Sequence, residues 1–507
     1  MKKYICLSVL AFLSATSLSK AQAPSFITDS LNKYIQTGIK EWDIPGLAIA
    51  IVKDGKTVVM KGFGVRDLKT KAPVDENTLF MIASNSKLFT GTALAQLEHN
   101  KKLSLDDKIT KYLPEFQLYD KTSTELVTIK DVLSHRIGTK TFQGDFTFWN
   151  GTLNRQQIVE KMKLLKPVGL FRQNYGYCNS CFLTAGEIIP VVTGKLWETY
   201  VRDSILKPIG MNNTYMLTEG MAQRNNVSKP YTNQFTGQLT ELPYDQIDNI
   251  GPAGSMVSNV KDVSKWLMTQ LDSGRFEGKQ VLPWPVIRKT RDINLAMSSR
   301  KSSVNPTHFT GYGLGVFMTD FAGKQVFWHT GGAFGFVTNT CFVPELNLGI
   351  TILTNNDNQG FFELLRLQIL DAYLNQPYIN RSKKALPAQL KSLAEAKSEV
   401  SGLEKRVVNA KPALAIDAYT GTYQNGVYGN ISINKLTNSR LEVVFTNHRD
   451  LKATLDYMDN DEWMLKYNNI AYGVFSTKFD IKDKKINSIT IKANDFIEYD
   501  PYVFVKE

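Results

Sequence analysis

Cysteine, histidine and long apolar runs are all scarce in this chain of 507 residues. Its four cysteines, Cys6, Cys178, Cys181 and Cys341, are too few for a disulfide-stapled scaffold. Cys178 and Cys181 form a single CxxC. With no second such pair and no histidine pair at ligand spacing, no metal site or other cofactor is implied, and the two read as small buried hydrophobes. There are five histidines, His99, His135, His308, His329 and His448, and no serine stands in a GxSxG elbow. A Ser-His-Asp triad therefore has little support. Beyond the N-terminus no segment reaches about 18 uninterrupted apolar residues, the minimum for a membrane-spanning helix. Basic blocks are missing too. The 60 Lys and Arg outnumber 48 Asp and Glu but are scattered, which argues against a nucleic-acid arm. The formal charge of +12 reads as solubility, or as attraction to an anionic partner such as a cell-wall polymer. Internal repeats and low-complexity stretches are lacking as well.

What is present is ordinary globular composition, 43% apolar, in a chain long enough for two or more domains. The first residues, "MKKYICLSVLAFLSATSLSKAQA", run from a basic start through a short apolar core to small residues. That is the pattern of a secretory signal peptide, expected to span 1–21 with cleavage after Ala21 (Ala23 also fits). The mature chain is expected to be periplasmic or secreted, without a transmembrane anchor.

Residues 46–67 alternate around "KDGK" and predict a β-hairpin; strands are predicted again at 312–318, 324–332, 335–344 and 348–355, then a helix at 360–374. Helical and loop patterns fill the middle. Strands at both ends and helices between them predict an α/β (α+β) fold: one antiparallel sheet flanked by helices, with a helical insert. The hydrolase-like part is placed at 22–380, a charged helical connector at 381–411, and a small all-β domain of short alternating strands at 412–507.

The stretch "FMIASNSKLFTGTAL", residues 80–94, sets Lys87 three residues after Ser84 at a predicted helix start. On a helix these two share a face. A serine hydroxyl becomes a useful nucleophile only when a base takes its proton. A lysine at its ordinary pKa, about 10.4, is protonated and cannot serve. Burial lowers that value, and Phe80, Ile82, Leu88 and Phe89 supply apolar surroundings. The helix N-terminus offers a backbone N–H to an oxyanion. Alone, SxxK recurs by chance. Two further motifs follow in order: Tyr177-x-Asn179 before a helical pattern, and His329-Thr330-Gly331 at a strand end with Gly332 after it.

The order SxxK, YxN, HTG resembles that of the serine penicillin-recognising enzymes. More narrowly, the chain resembles the class C β-lactamase-related serine hydrolases, a group that includes D-alanyl-D-alanine carboxypeptidases, D-aminopeptidases and esterases. "IPGLAIAIVKDGK", "LSLDDKITKYLPEF", "TIKDVLSHRIG", "ILKPIGMNNTYM", "PAGSMVSNVKDVSKW" and "YGLGVF" carry the likeness over about 45–356. The C-terminal part, with "YTGTYQN", resembles the lipocalin-like β-domain appended to many such hydrolases. The resemblance implies that Ser84 is the nucleophile, Lys87 its base partner and Tyr177 a proton carrier. It implies that Asn179 binds the substrate amide, that His329, Thr330 and Gly331 form the strand on which substrate lies, and that the backbone N–H groups of Ser84 and Gly332 form the oxyanion hole.

Two departures bear on substrate. HTG stands where class C β-lactamases carry KTG. A neutral histidine gives no fixed charge for a substrate carboxylate, but one with an ordinary pKa near 6.5 is expected to charge below about pH 6. "SHRIG" stands where these proteins read SHTSG, and His135 is expected to be structural. Together these features predict an exported serine hydrolase working through an acyl-Ser84 intermediate on D-amino-acid-containing cell-wall peptides. An esterase or a weak β-lactamase is the alternative within the family. Outside it stands a protein that binds or senses peptidoglycan or β-lactam with little turnover. The expected partners are a small peptide, ester or β-lactam substrate and peptidoglycan, not nucleic acid.

Overall fold

The computed structural model describes residues 23–408 and 410–507; the expected signal peptide lies outside them. Two helical segments open the chain, a π-helical turn at Phe26–Ser30 and helix α1 at Leu31–Glu41. The sequence reading missed both. Their Phe26, Leu31, Tyr34 and Ile35 are buried against the sheet's outer layer.

The hairpin predicted at 46–67 is strands β1 (Gly46–Lys53) and β2 (Lys56–Gly64). The later strands are β3 (Leu295–Ser298), β4 (Thr310–Tyr312), β5 (Phe317–Phe321), β6 (Lys324–Ala333), β7 (Phe336–Val343) and β8 (Leu348–Thr354). They form one eight-stranded sheet in the order β2-β1-β8-β7-β6-β5-β4-β3, and each pairing is antiparallel. The N-terminal hairpin thus docks on strands some 300 residues away, as the strand distribution predicted. β1, β7 and β8 are central and almost wholly buried; β1 and β8 are accordingly largely apolar, while β7 carries buried Thr338, Asn339 and Thr340 in its middle.

The single strand expected at 312–318 is instead two. β4 ends at Tyr312 and β5 begins at Phe317. Between them Gly315 takes φ +79°, and a Cβ there would lie 2.2 Å from the Lys87 carbonyl oxygen. The chain must bend where it crosses the next helix, and only glycine allows that approach.

That helix, α2 (Ser86–His99), is buried nearly all round. One apolar core lies between the sheet and the helical lobe that includes α2, and a second lies on the other face, beneath α1 and the helix Phe361–Tyr373. The connector is a helix over Arg381–Arg406. Its Leu403 packs on Met458, Met464 and Val474 of the C-terminal domain. That domain is a closed barrel of eight antiparallel strands, from Gly421–Asn425 to Tyr502–Lys506. Its interior is filled by Tyr423, Leu441, Trp463, Phe479, Ile489 and Phe504, so it is packed as a core. No helix among the described residues is long and apolar enough to cross a membrane.

Candidate active site

Ser84 sits in a single 3-10 turn, Ala83–Asn85, that leads directly into α2. Ala83 carries φ +46°, an uncommon value for a residue with a Cβ, and so marks a strained turn beside the serine. Strand β6 fixes this turn from the sheet side. A Cβ on Gly331 would lie 2.0 Å from the Ile82 carbonyl oxygen, so the glycine of HTG is what lets β6 approach the serine turn. Thr338 on β7 adds a hydrogen bond to the same carbonyl at 3.2 Å.

Lys87 is fully buried. Its Nζ lies 3.1 Å from Ser84 Oγ, 2.7 Å from Asn179 Oδ1 and 2.8 Å from the Ala253 carbonyl oxygen. Burial pushes its pKa from 10.5 down to about 7, against the pull of Asp145 and the two cysteines. In the neutral amine two N–H groups are available. Asn179 Oδ1 and the Ala253 carbonyl can only accept, so they take both. The nitrogen lone pair is left facing the Ser84 hydroxyl, ready to receive its proton.

Tyr177 lies under the same nitrogen, 4.6 Å from ring centre to Lys87 Nζ, and lines the cleft together with Ser84. Burial raises its pKa well above the ordinary tyrosine value, so it is a phenol and not a phenolate. His135 stacks on that ring at 4.3 Å and accepts the Cys178 N–H through Nδ1 at 3.0 Å. Burial holds it neutral, and its contacts are those of a supporting residue.

Asn179 opens helix α4 (Asn179–Thr193), which is packed against α2. Its carboxamide, expected to bind the substrate amide, lines the cleft beside Ser84. Its Oδ1 is held by Lys87, and its Nδ2 donates to Asp145 Oδ2 at 2.6 Å. Asp145, on the short helix α3 (Asp145–Phe148), was not singled out from the sequence. Burial first, then neighbouring negative groups, raise its pKa well above the carboxylate range. No motif announces it, because its role comes from packing 34 residues away along the chain. Cys178 caps α4 and Cys181 lies in its first turn; both are buried free thiols.

On β6, residues 324–328 pair with β5, while His329 to Ala333 pair only with β7. Thr330, Gly331 and Gly332 therefore lie on an open strand edge lining the cleft that holds Ser84. His329 lines it too but is 1% exposed. Its Nδ1 donates to the Thr330 carbonyl at 2.6 Å, so Nε2 accepts the Tyr312 hydroxyl at 3.0 Å. Burial and the nearby Lys87 bring its pKa down to about 3. The expectation that His329 charges below about pH 6 is thus overturned.

The cleft has a volume of about 430 Å³. Its walls include Phe142, Trp149, Tyr175, Phe317 and Phe362 from the hydrolase part and, among the described residues, no lysine or arginine. The remaining wall comes from the barrel. The loop before its last strand contributes Asp495, Phe496, Ile497 and Tyr499. A Cβ on Gly332 would lie 2.9 Å from the Phe496 ring, which stacks on Phe334 at 5.8 Å. Nothing in the local sequence of this loop points to a site some 410 residues earlier.

Comparison with known proteins identifies the family and the fold. The family model described as "Beta-lactamase" matches residues 31–374, and a "Domain of unknown function (DUF3471)" matches 405–506. An unguisins hydrolase of Aspergillus campestris is 25% identical over 439 residues, covering 82% of this chain and 79% of its own. Protein flp of Staphylococcus aureus is 26% identical over 369 residues, covering 71% of this chain and 68% of its own. The octameric penicillin-binding protein homologue from Pyrococcus abyssi shares the fold with a TM-score of 0.60 at 21% identity, covering 94% of this chain and 99% of its own. The chain belongs to the beta-lactamase family and is a serine hydrolase.

Proposed function

We propose that the protein hydrolyses amide or ester bonds through an acyl-Ser84 intermediate, and that its substrates are small peptides containing D-amino acids and lacking a free carboxylate at the recognised end. The observation that carries the mechanism is Lys87, buried, brought to about pKa 7 and 3.1 Å from Ser84 Oγ. A base near ambient pH is the most effective one. Neutral Lys87 takes the Ser84 proton as Oγ attacks the substrate carbonyl carbon. The oxyanion forms between the backbone N–H groups of Ser84 and Gly332. Tyr177, a phenol on the same cleft wall as Ser84, passes a proton to the departing nitrogen or oxygen and is reprotonated through Lys87. Water then attacks the acyl-enzyme by the reverse route.

The substrate class rests on the walls. An extended peptide is accommodated along the open edge of β6, where Thr330 to Gly332 offer backbone groups. A carboxylate entering this cleft would meet a neutral His329 and no lysine or arginine on the walls. That disfavours a dedicated β-lactamase or a carboxypeptidase and favours amides, esters and substrates with a free amine. The aromatic walls also suit an esterase, the second reading. We place the enzyme outside the cytoplasm, on the strength of the leader pattern at 1–21.

The test is intact mass after exposure to a fluorescent penicillin, a serine-reactive ester probe and a set of D-peptide amides and acids. The expected result is an adduct that is lost in Ser84→Ala, with amides and esters turned over faster than acids. An adduct that survives Ser84→Ala would refute the mechanism. Acids preferred over their amides would refute the substrate class. N-terminal sequencing of protein recovered outside the cytoplasm tests the export proposal.

A further inference from the structure

The barrel reaches deeper than the cleft wall. Glu498, 2% exposed, lies on the same loop as Phe496. Its Oε1 accepts the Gly144 N–H at 2.9 Å and its Oε2 accepts the Phe146 N–H at 3.2 Å. These two amides flank Asp145. The Tyr428 hydroxyl, also from the barrel, donates to Oε1 at 2.5 Å. From Asp145 the contacts continue to Asn179 at 2.6 Å, to Lys87 at 2.7 Å and to Ser84 at 3.1 Å. One hydrogen-bonded series thus joins the barrel to the serine.

We propose that Glu498 is a positioning residue for the hydrolase site: it clamps α3 so that the Asp145 carboxyl meets Asn179, and its negative charge keeps Asp145 from becoming the counter-ion of Lys87. The inference rests on the reading of Lys87 as the base.

The physical logic is as follows. Two carboxyl groups held close in a dry site cannot both ionise cheaply. Asp145 is surrounded by Glu498 from the barrel, Cys178 at the start of α4, Asn179 and Lys87. Glu498 itself faces Tyr428 and Asp500, and burial has raised it to about 7. Lys87 faces Asp145, Cys178 and Cys181, with His135 and His329 nearby, both held neutral. Asp145 is the one carboxyl touching the Lys87 network. Were it ionised, its charge would favour the lysine ammonium and remove the base. Glu498 opposes that ionisation from behind.

Glutamine at 498 keeps the size but has one acceptor oxygen and no charge. The full-length Glu498→Gln protein should therefore ionise Asp145 more readily and hold Lys87 as ammonium to higher pH. The measurement is kcat/KM against pH from 5 to 9.5 on an ester or D-peptide amide. Glu498 carries its charge only above about pH 7, so the acidic limb should move up by about half a pH unit over the range 7 to 8, and kcat/KM at pH 7.5 should fall about twofold beyond any change at pH 9.5. In an Asp145→Asn background, where residue 145 cannot ionise, Glu498→Gln should leave the limb in place. If Glu498→Gln does not fold, Glu498→Asp serves. It keeps the charge but shortens the reach, so kcat should fall several-fold with KM and the limb unchanged. A folded Glu498→Gln with an unmoved limb overturns the proposal, and so does a shift that persists with Asp145→Asn. A limb shift or an unchanged kcat in Glu498→Asp overturns it as well. A wild-type protein that never acylates would instead overturn the reading of Lys87, and the proposal with it.

Discussion

Replacing Lys87 by methionine keeps the length of the side chain and removes the titrating amine, and the consequence for stability depends on pH in a calculable way. In the unfolded chain this lysine titrates near 10.5, and in the folded protein burial brings it to about 7. Below about pH 7 both states carry the proton, and the folded state bears the full cost of a buried ammonium. Between about 7 and 10.5 the unfolded state binds one more proton, so stability rises with pH. The gap of about three and a half pH units, at about 1.4 kcal/mol per unit, gives about 5 kcal/mol in all. Lys87→Met lacks this dependence. Its stability relative to wild type should therefore fall as pH rises, by about 3 kcal/mol between pH 7 and 9.5. Groups that do not feel the Lys87 charge are common to both proteins and cancel in the difference; His135 and His329 are held neutral in this range, and Asp145, which stays coupled to position 87, is taken out by repeating the comparison in an Asp145→Asn background. The absolute sign at pH 7 is less informative, because methionine also strands Asn179 Oδ1 and the Ala253 carbonyl. The assay is urea unfolding followed by tryptophan fluorescence, at half-unit steps of pH, on both proteins. A difference that stays flat across this range would mean that Lys87 is charged in the folded protein at neutral pH, and the base assignment would fall with it.

Other outcomes are as definite. Because His329 stays neutral down to about pH 3, the ratio of kcat/KM for a D-peptide acid and its amide should not respond to His329 between pH 5 and 8. His329→Lys should raise that ratio, and a wild-type ratio that climbs steeply below pH 6 while His329→Gln abolishes the climb would contradict the burial argument. Lys87→Ala and Tyr177→Phe should each slow acylation by about 10² or more, with the double variant costing far less than the product, since both act on the Ser84 proton. Multiplicative losses in stopped-flow labelling would show two separate roles. Gly331→Ala should lose about 1–3 kcal/mol in thermal or urea unfolding and most of its acylation rate, because the added methyl meets the Ile82 carbonyl at 2.0 Å and displaces the serine turn. Wild-type labelling in that variant would show that the turn tolerates the shift.

Much of this site is legible in one dimension because its chemistry is written in short-range patterns. Ser84 and Lys87 lie one helical turn apart, and any helix start there brings them together. HTG sits at a strand end, and Gly331 is there because two backbones meet. The hairpin at 46–67 and the strands at 324–355 announce themselves by alternation or by apolar runs bounded by turns. The opening helices at 26–41 were missed because they follow directly on the small-residue end of the leader pattern. The strand over 312–318 was read as unbroken because its interruption depends on α2 passing beneath it.

The amino-acid sequence was enough to single out Ser84, Lys87, Tyr177 and the strand edge at His329 to Gly332 as the candidate site, since three motifs in order carry the family resemblance. It was enough for the antiparallel sheet, because strand patterns survive without knowledge of their partners. Protonation states needed the tertiary structure. His329 and Lys87 have ordinary pKa values in an extended chain, and only complete burial carries them to about 3 and about 7. Asn179 stands out by its motif, but its sharing between Lys87 and Asp145, a contact between distant segments, is set only by the fold. The barrel's part is the furthest from anything local. Phe496 and Glu498 reach the site only because two independently patterned domains close on each other, and desolvation and long-range contact are properties of that closure.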